Sequence, residues 1–149
     1  MSMFGGMEIS ASALTAQRLR MNVTAENLAN AETTKTAAGT PYRRKEVTLQ
    51  AVGDGGGFGS ALSKAMGAGS GVAPGGVQAT AITEDATDGK LVYDPSHPDA
   101  NAQGYVRMPN VDTVTEMVDL IDAQRSYEAN VTAMSASKQM FAKTLEILR

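Results

Sequence analysis

The residues that could do chemistry in this chain are few. It has one His, no Cys and no Trp in 149 residues. Without Cys there is no thiolate nucleophile, disulfide or Cys-ligated metal. With a single His, no Ser/His/Asp set can be assembled convincingly. Gly53-Asp54-Gly55-Gly56-Gly57-Phe58-Gly59 has the glycine density of a loop whose backbone N–H groups cradle a phosphate. It lacks the Gly-Lys-Ser/Thr ending, and no strand-to-helix unit surrounds it, so a solvated loop is expected. Asp94, His97 and Asp99 bring an imidazole near two carboxylates, but His97 stands between Pro95 and Pro98. A metal site draws on more ligands in fixed geometry, so a structural turn is expected there. Asn22-Val23-Thr24 and Asn130-Val131-Thr132 match the glycosylation sequon, yet both lie inside helical patterns rather than exposed loops. The reading is therefore a chain that is not an enzyme, with no catalytic, cofactor-binding or metal residues, no cofactor and no small-molecule substrate.

Composition points the same way. The seven aromatic residues and abundant Gly leave little to collapse around, because large side chains supply most of a small core's buried area. The net charge of −3 is spread along the chain with no basic stripe, which gives no footing for nucleic acid. Residues 1–7 lack the basic and apolar regions of a secretory signal. By itself that points to the cytosol, unless the chain leaves by a route needing no cleaved signal.

The elements are clearest at the two ends. Met7, Ala11, Leu14, Arg18, Met21, Ala25 and Leu28 repeat at alternating steps of four and three, predicting a helix over 7–30 with a helix-packing seam. A second helix is expected from near Asn110 or Thr113, where Thr113 and Glu116 have capping-box spacing after Pro109. Its seam runs Met117, Leu120, Gln124, Tyr127, Val131, Met134, Lys138, Phe141, Leu145 and Leu148. A second stripe of Val118, Ala129, Ala133, Ala136, Met140 and Ile147 points nearly opposite. One partner helix can cover only one of these stripes, so the other needs a further partner.

Between the helices, Val47, Leu49 and Ala51 alternate with polar residues, as do Val77, Ala79 and Ala81, predicting short strands. Residues 85–89 are expected to turn the second strand into a hairpin with Lys90–Tyr93. Residues 53–76 are Gly-rich and read as a flexible loop. The expected division is 1–32, an N-terminal helix; 33–109, an extended or β middle holding that loop; and 110–149, a C-terminal helix. The fold class is mainly α, with the long terminal helices pairing as a coiled coil around a small middle containing a β-hairpin.

Ser12-Ala13-Leu14, followed by Ala25-Glu26-Asn27-Leu28-Ala29-Asn30-Ala31-Glu32-Thr33, resembles the N-terminal motif of the flagellar axial family of rod, hook and hook-associated subunits. Glu26 stands where that family typically carries a second Asn, and Gly39-Thr40-Pro41-Tyr42-Arg43-Arg44-Lys45 replaces its Gly-Tyr step. Tyr42 to Val47, His97 to Ala100, Gly104 to Asp112 and Glu116 to Val131 resemble the family's proximal rod members. The matching positions include Asn27, Leu28, Asn30, Asn110, Arg125, Tyr127, Glu128 and Asn130.

The resemblance implies a structural subunit of the proximal rod. It would polymerise helically through its terminal helices and transmit torque from the motor to the distal rod and hook. It also implies export by the flagellar type III apparatus and residence in the periplasmic rod of the basal body. Implied partners are copies of itself, other rod proteins, the membrane ring, the export gate and rod-base adaptor proteins. Another axial rod subunit is the near alternative, and a soluble helical adaptor or export chaperone the distant one.

Overall fold

The computed structural model describes residues 3–52 and 75–147. Nearly all of the expected Gly-rich loop, and Leu148, lie outside the described residues. The elements are helix α1 (Met3–Ala29), strands β1 (Lys45–Val52), β2 (Gly76–Glu84), β3 (Leu91–Tyr93) and β4 (Tyr105–Arg107), and helix α2 (Thr113–Ile147). The chain is thus mainly α, with two small sheets.

Helix α1 starts four residues before its apolar repeat. No Pro interrupts it, and Ser10, Ser12 and Thr15 turn their hydroxyls back onto the carbonyls of Gly6, Ile9 and Ala11. Those bonds let hydroxyl residues sit in a helix interior without competing for the backbone. Asn30 closes the helix: its N–H and its side-chain amide both donate to Glu26 O, at 3.1 and 2.9 Å. Helix α2 begins on a different cap from the expected one. Asp112 Oδ1 accepts the Val114 N–H at 3.0 Å, so Asp112 and not Thr113 is the N-cap residue. Glu116 does not complete a capping box, because both its carboxylate oxygens are taken by Asn27 and Arg44. At 35 residues, α2 is about 50 Å long.

The strands pair otherwise than the expected hairpin. β1 pairs with β2, while β3 pairs antiparallel with β4 in the register Leu91↔Arg107, Val92↔Val106, Tyr93↔Tyr105. Residues 85–89 instead carry the chain from one sheet to the other. The Asp85 N–H extends β1's ladder by donating to Arg44 O at 2.8 Å, and Lys90 O already accepts the Met108 N–H at 2.9 Å. Gly89 lies so close to Met108 that a Cβ there would sit 1.8 Å from its carbonyl oxygen. Gly104, at φ 79°, provides the left-handed turn into β4, against Tyr93 and Pro95.

The chain divides into two compact units. The first comprises Met1–Arg18, Leu49–Thr80 and Arg125–Arg149. Within it, Ala16 is buried and the Val77 N–H donates to Ser12 Oγ at 3.0 Å. The second comprises Leu19–Thr48 and Ala81–Gln124. Its buried apolar residues are Val23, Tyr42, Val106, Pro109 and Ala123, joined by buried Thr24, Asn27 and Glu116. A core whose most enclosed large side chains are an Asn and a Glu depends on hydrogen bonding to an unusual degree.

A buried polar junction and open helix faces as the candidate assembly site

Two polar side chains in the second unit are equally enclosed, Glu116 and Asn27, the latter on the last turn of α1. A primary amide has two donors and two acceptor lone pairs, and here all four are used. Its Nδ2 donates to Lys45 O at 2.9 Å and to Glu116 Oε2 at 3.1 Å. Its Oδ1 accepts the Tyr42 hydroxyl and the Lys45 N–H, both at 2.9 Å. One side chain therefore joins the end of α1, the strand-entry segment 42–45 and the first turn of α2.

Charge is balanced around that amide. Glu116, 1 % exposed, accepts the Arg44 Nε–H at Oε1. Arg44 also reaches Asp119, which pairs with Arg20 of α1 at 3.3 Å. The Glu116 hydrogen bond raises Arg44 further above its ordinary value, against the opposing effect of burial, so the cation is permanent. Burial pushes the Tyr42 phenol up, with Glu26 adding to the shift and Lys45 opposing it. Lys45 pairs with Glu26, and its ammonium lies 5.8 Å from the Tyr42 ring centroid. Asn110 continues the network: its Oδ1 accepts the Arg44 N–H at 2.8 Å and its amide donates to Thr87 Oγ1 at 3.2 Å. Such an arrangement locks geometry and leaves no activated nucleophile, acid or base.

The residues weighed as a metal set are engaged in turns. Asp94 Oδ1 accepts the Ser96 N–H and hydroxyl, which hold its carboxyl below the ordinary range. His97 Nδ1 accepts the Asp99 N–H at 3.1 Å, and the Asp99 carboxylate takes Thr34 and Lys35. Among the described residues no group of three His, Cys, Asp or Glu could hold a metal ion.

Burial along α2 follows a regular line. Glu116, Leu120, Ala123, Tyr127, Asn130, Met134 and Ser137 are buried or half-buried, at alternating steps of four and three. This line shares Leu120, Tyr127 and Met134 with the expected seam. Met117, Val131, Phe141 and Leu145 of that seam are exposed. So are Val118, Ala129, Ala133, Ala136 and Met140 of the second stripe; the Ile147 side chain lies outside the described residues. On α1, Met7, Leu14, Met21 and Leu28 are half-buried, and the buried positions with side chains are Ala16, Val23, Thr24 and Asn27. The covered line of α2 thus alternates Leu120, Tyr127 and Met134 with small or polar side chains, while Met117, Val118, Met140 and Leu145 stand open. Among the other family-motif residues, Asn130 donates to Ser126 O at 2.8 Å, and Arg125 and Glu128 are exposed.

Of the two motif asparagines, Asn30 caps α1 while Asn27 does different work. The partners of Asn27 lie up to 89 residues away, beyond the reach of any local pattern. A usable signal was present in Tyr42-Arg43-Arg44-Lys45, a charged run entering a strand whose first residues must bury something.

Comparison with known proteins identifies the architecture. Residues 7–35 match the family model described as flagella basal body rod protein. Residues 102–147 match that of the flagellar basal body rod FlgEFG protein C-terminal region. The flagellar basal-body rod protein FlgC of Bacillus subtilis is 55% identical over 151 residues, covering 99% of both chains. That of Escherichia coli O6:H1 is 43% identical, covering 99% of this chain and 98% of its own. That of Borreliella burgdorferi is 40% identical, covering 100% and 99%. Both family models fall on the helices described above, and the relatives are matched end to end: this chain belongs to the FlgC family of flagellar basal-body rod proteins.

Proposed function

We propose that this chain is a structural subunit of the proximal flagellar rod that assembles through the open faces of its helices. The observation that carries this reading is the exposure of large apolar residues along α2, with Met117, Val118, Met140 and Leu145 all more than half exposed in the single chain. Large apolar residues left open on a helix that already covers Leu120, Tyr127 and Met134 are surfaces awaiting partners. In the rod, α1 and α2 pair as a coiled coil, for which Arg20–Asp119 and Asn27–Glu116 set the register within the second unit. The second stripe then meets neighbouring subunits. Those neighbours are copies of this chain and other rod proteins, together with the membrane ring, the export gate and rod-base adaptors. The rod lies in the periplasm, reached through the flagellar type III apparatus without a cleaved signal, and motor torque passes through it to the hook. No helix among the described residues is long and apolar enough to cross a membrane.

The test is motility and basal-body electron microscopy with Met134→Glu and Met140→Glu. Each variant should be expressed and exported yet arrest rod assembly. Normal swimming with Met140→Glu would show that this stripe faces solvent, and the assembly reading would fall.

A further inference from the structure

The open apolar surface is not uniform along α2. Val114, Met117, Val118 and Ile121 are 68, 53, 53 and 46 % exposed. Their spacing of i, i+3, i+4 and i+7 makes one continuous patch over the first two turns, the anchor pattern by which one helix lies against another. All four belong to the second unit. The patch is acidic in its setting: no Lys or Arg stands between Arg107 and Arg125, while Asp112, Glu116, Asp119 and Asp122 do. Glu116 and Asp119 are neutralised by Arg44 and Arg20, leaving Asp112 and Asp122 as the exposed charges beside the patch.

Resting on the rod reading above, we infer that this acidic apolar patch receives the C-terminal helix end of an adjacent rod-family subunit. The partner it fits is a helix end with large apolar side chains set among lysines. The far end of α2 has this chemistry: Met140 and Leu145 are exposed, and Lys138 and Lys143 outnumber the single acid, Glu146, from 136 to 147. An apolar helix end with positive charge gains contact area from the four anchors and attraction from the two aspartates. An acidic helix would be repelled, which gives the patch its selectivity.

The test places a photo-crosslinking benzoylphenylalanine at Met117, and in a second strain at Val114, in cells whose motility is scored. Basal bodies are irradiated and the adduct peptide is identified by mass spectrometry. The expected adduct is a C-terminal helix peptide of a rod-family subunit, from this chain or a relative, and it should be lost when Ile121→Glu is added. An adduct on any other segment or on a protein outside the rod family overturns the inference, as does no adduct at either position in assembled rods. If the chain is absent from purified basal bodies of motile cells, the rod reading itself fails, which separates the two results.

Discussion

Asn27 and its partners allow changes that alter hydrogen bonding with almost no change of shape. Asn27→Asp removes the two donors given to Lys45 O and Glu116 and sets a carboxylate against a buried carboxylate. Buried charges stripped of partners cost several kcal/mol, so this variant should lose about 3 kcal/mol in a denaturant melt followed by circular dichroism. Arg44→Ala leaves Glu116 without its cation and should cost a similar amount. Tyr42→Phe deletes one hydrogen bond to Asn27 and should cost about 1 kcal/mol at neutral pH. Its pH dependence follows from the raised phenol pKa. The folded chain keeps a proton that the unfolded chain releases near pH 10, so the stability from Tyr42 is whole below that value and falls as pH rises through the folded value. Melts between about pH 9 and 11 should therefore steepen for the wild type relative to Tyr42→Phe. Equal slopes would detach Tyr42 from the alkaline loss.

At the level of elements, both helices were legible because a spacing of three and four over more than twenty residues is strong and local. Their caps were less so. Thr113 and Glu116 satisfied a spacing rule, but the Glu116 N–H already reaches Asp112 O, Asp112 Oδ1 takes the Val114 N–H, and the Glu116 carboxylate is drawn away by a cation from another segment. Asp112→Ala should cost about 1 kcal/mol, and Thr113→Ala much less; a larger effect at Thr113 would restore the box. The strands were visible by alternation, while their partners were not, because pairing is decided by contacts remote in sequence. Gly89 carries that choice. Gly89→Ala would drive a methyl into the Met108 carbonyl, so a loss of at least about 2 kcal/mol is expected in the same melts. A neutral outcome would mean that the link between the two sheets shifts freely.

For the whole molecule, the covered line of α2 alternates the small or polar Glu116, Ala123, Asn130 and Ser137 with Leu120, Tyr127 and Met134. Hydrophobic pattern alone favoured the bulkier neighbours Met117 and Val131 as the inward set. An isolated globular protein buries its largest apolar groups first. A subunit that uses such faces for its neighbours, as proposed above, would keep some of them open, and here pattern and burial part company by a single residue. With so little apolar core, the ends of both helices should exchange amide protons quickly in dilute monomer and slowly in assembled rods. Protection across 112–147 as strong in the monomer as in the rod would contradict this.

The Asn27–Glu116 bond also has a consequence in time. The two residues are 89 positions apart, so in a chain that emerges N-terminus first Asn27 finds Tyr42 and Lys45 early but waits 89 residues for Glu116. During that interval the end of α1 lacks the carboxylate that helps fix it, and the patch at the start of α2 does not yet exist. Emergence of the chain through Ile121 is thus a precondition for both the junction and the apolar patch, and a truncated chain ending before Glu116 would complete neither.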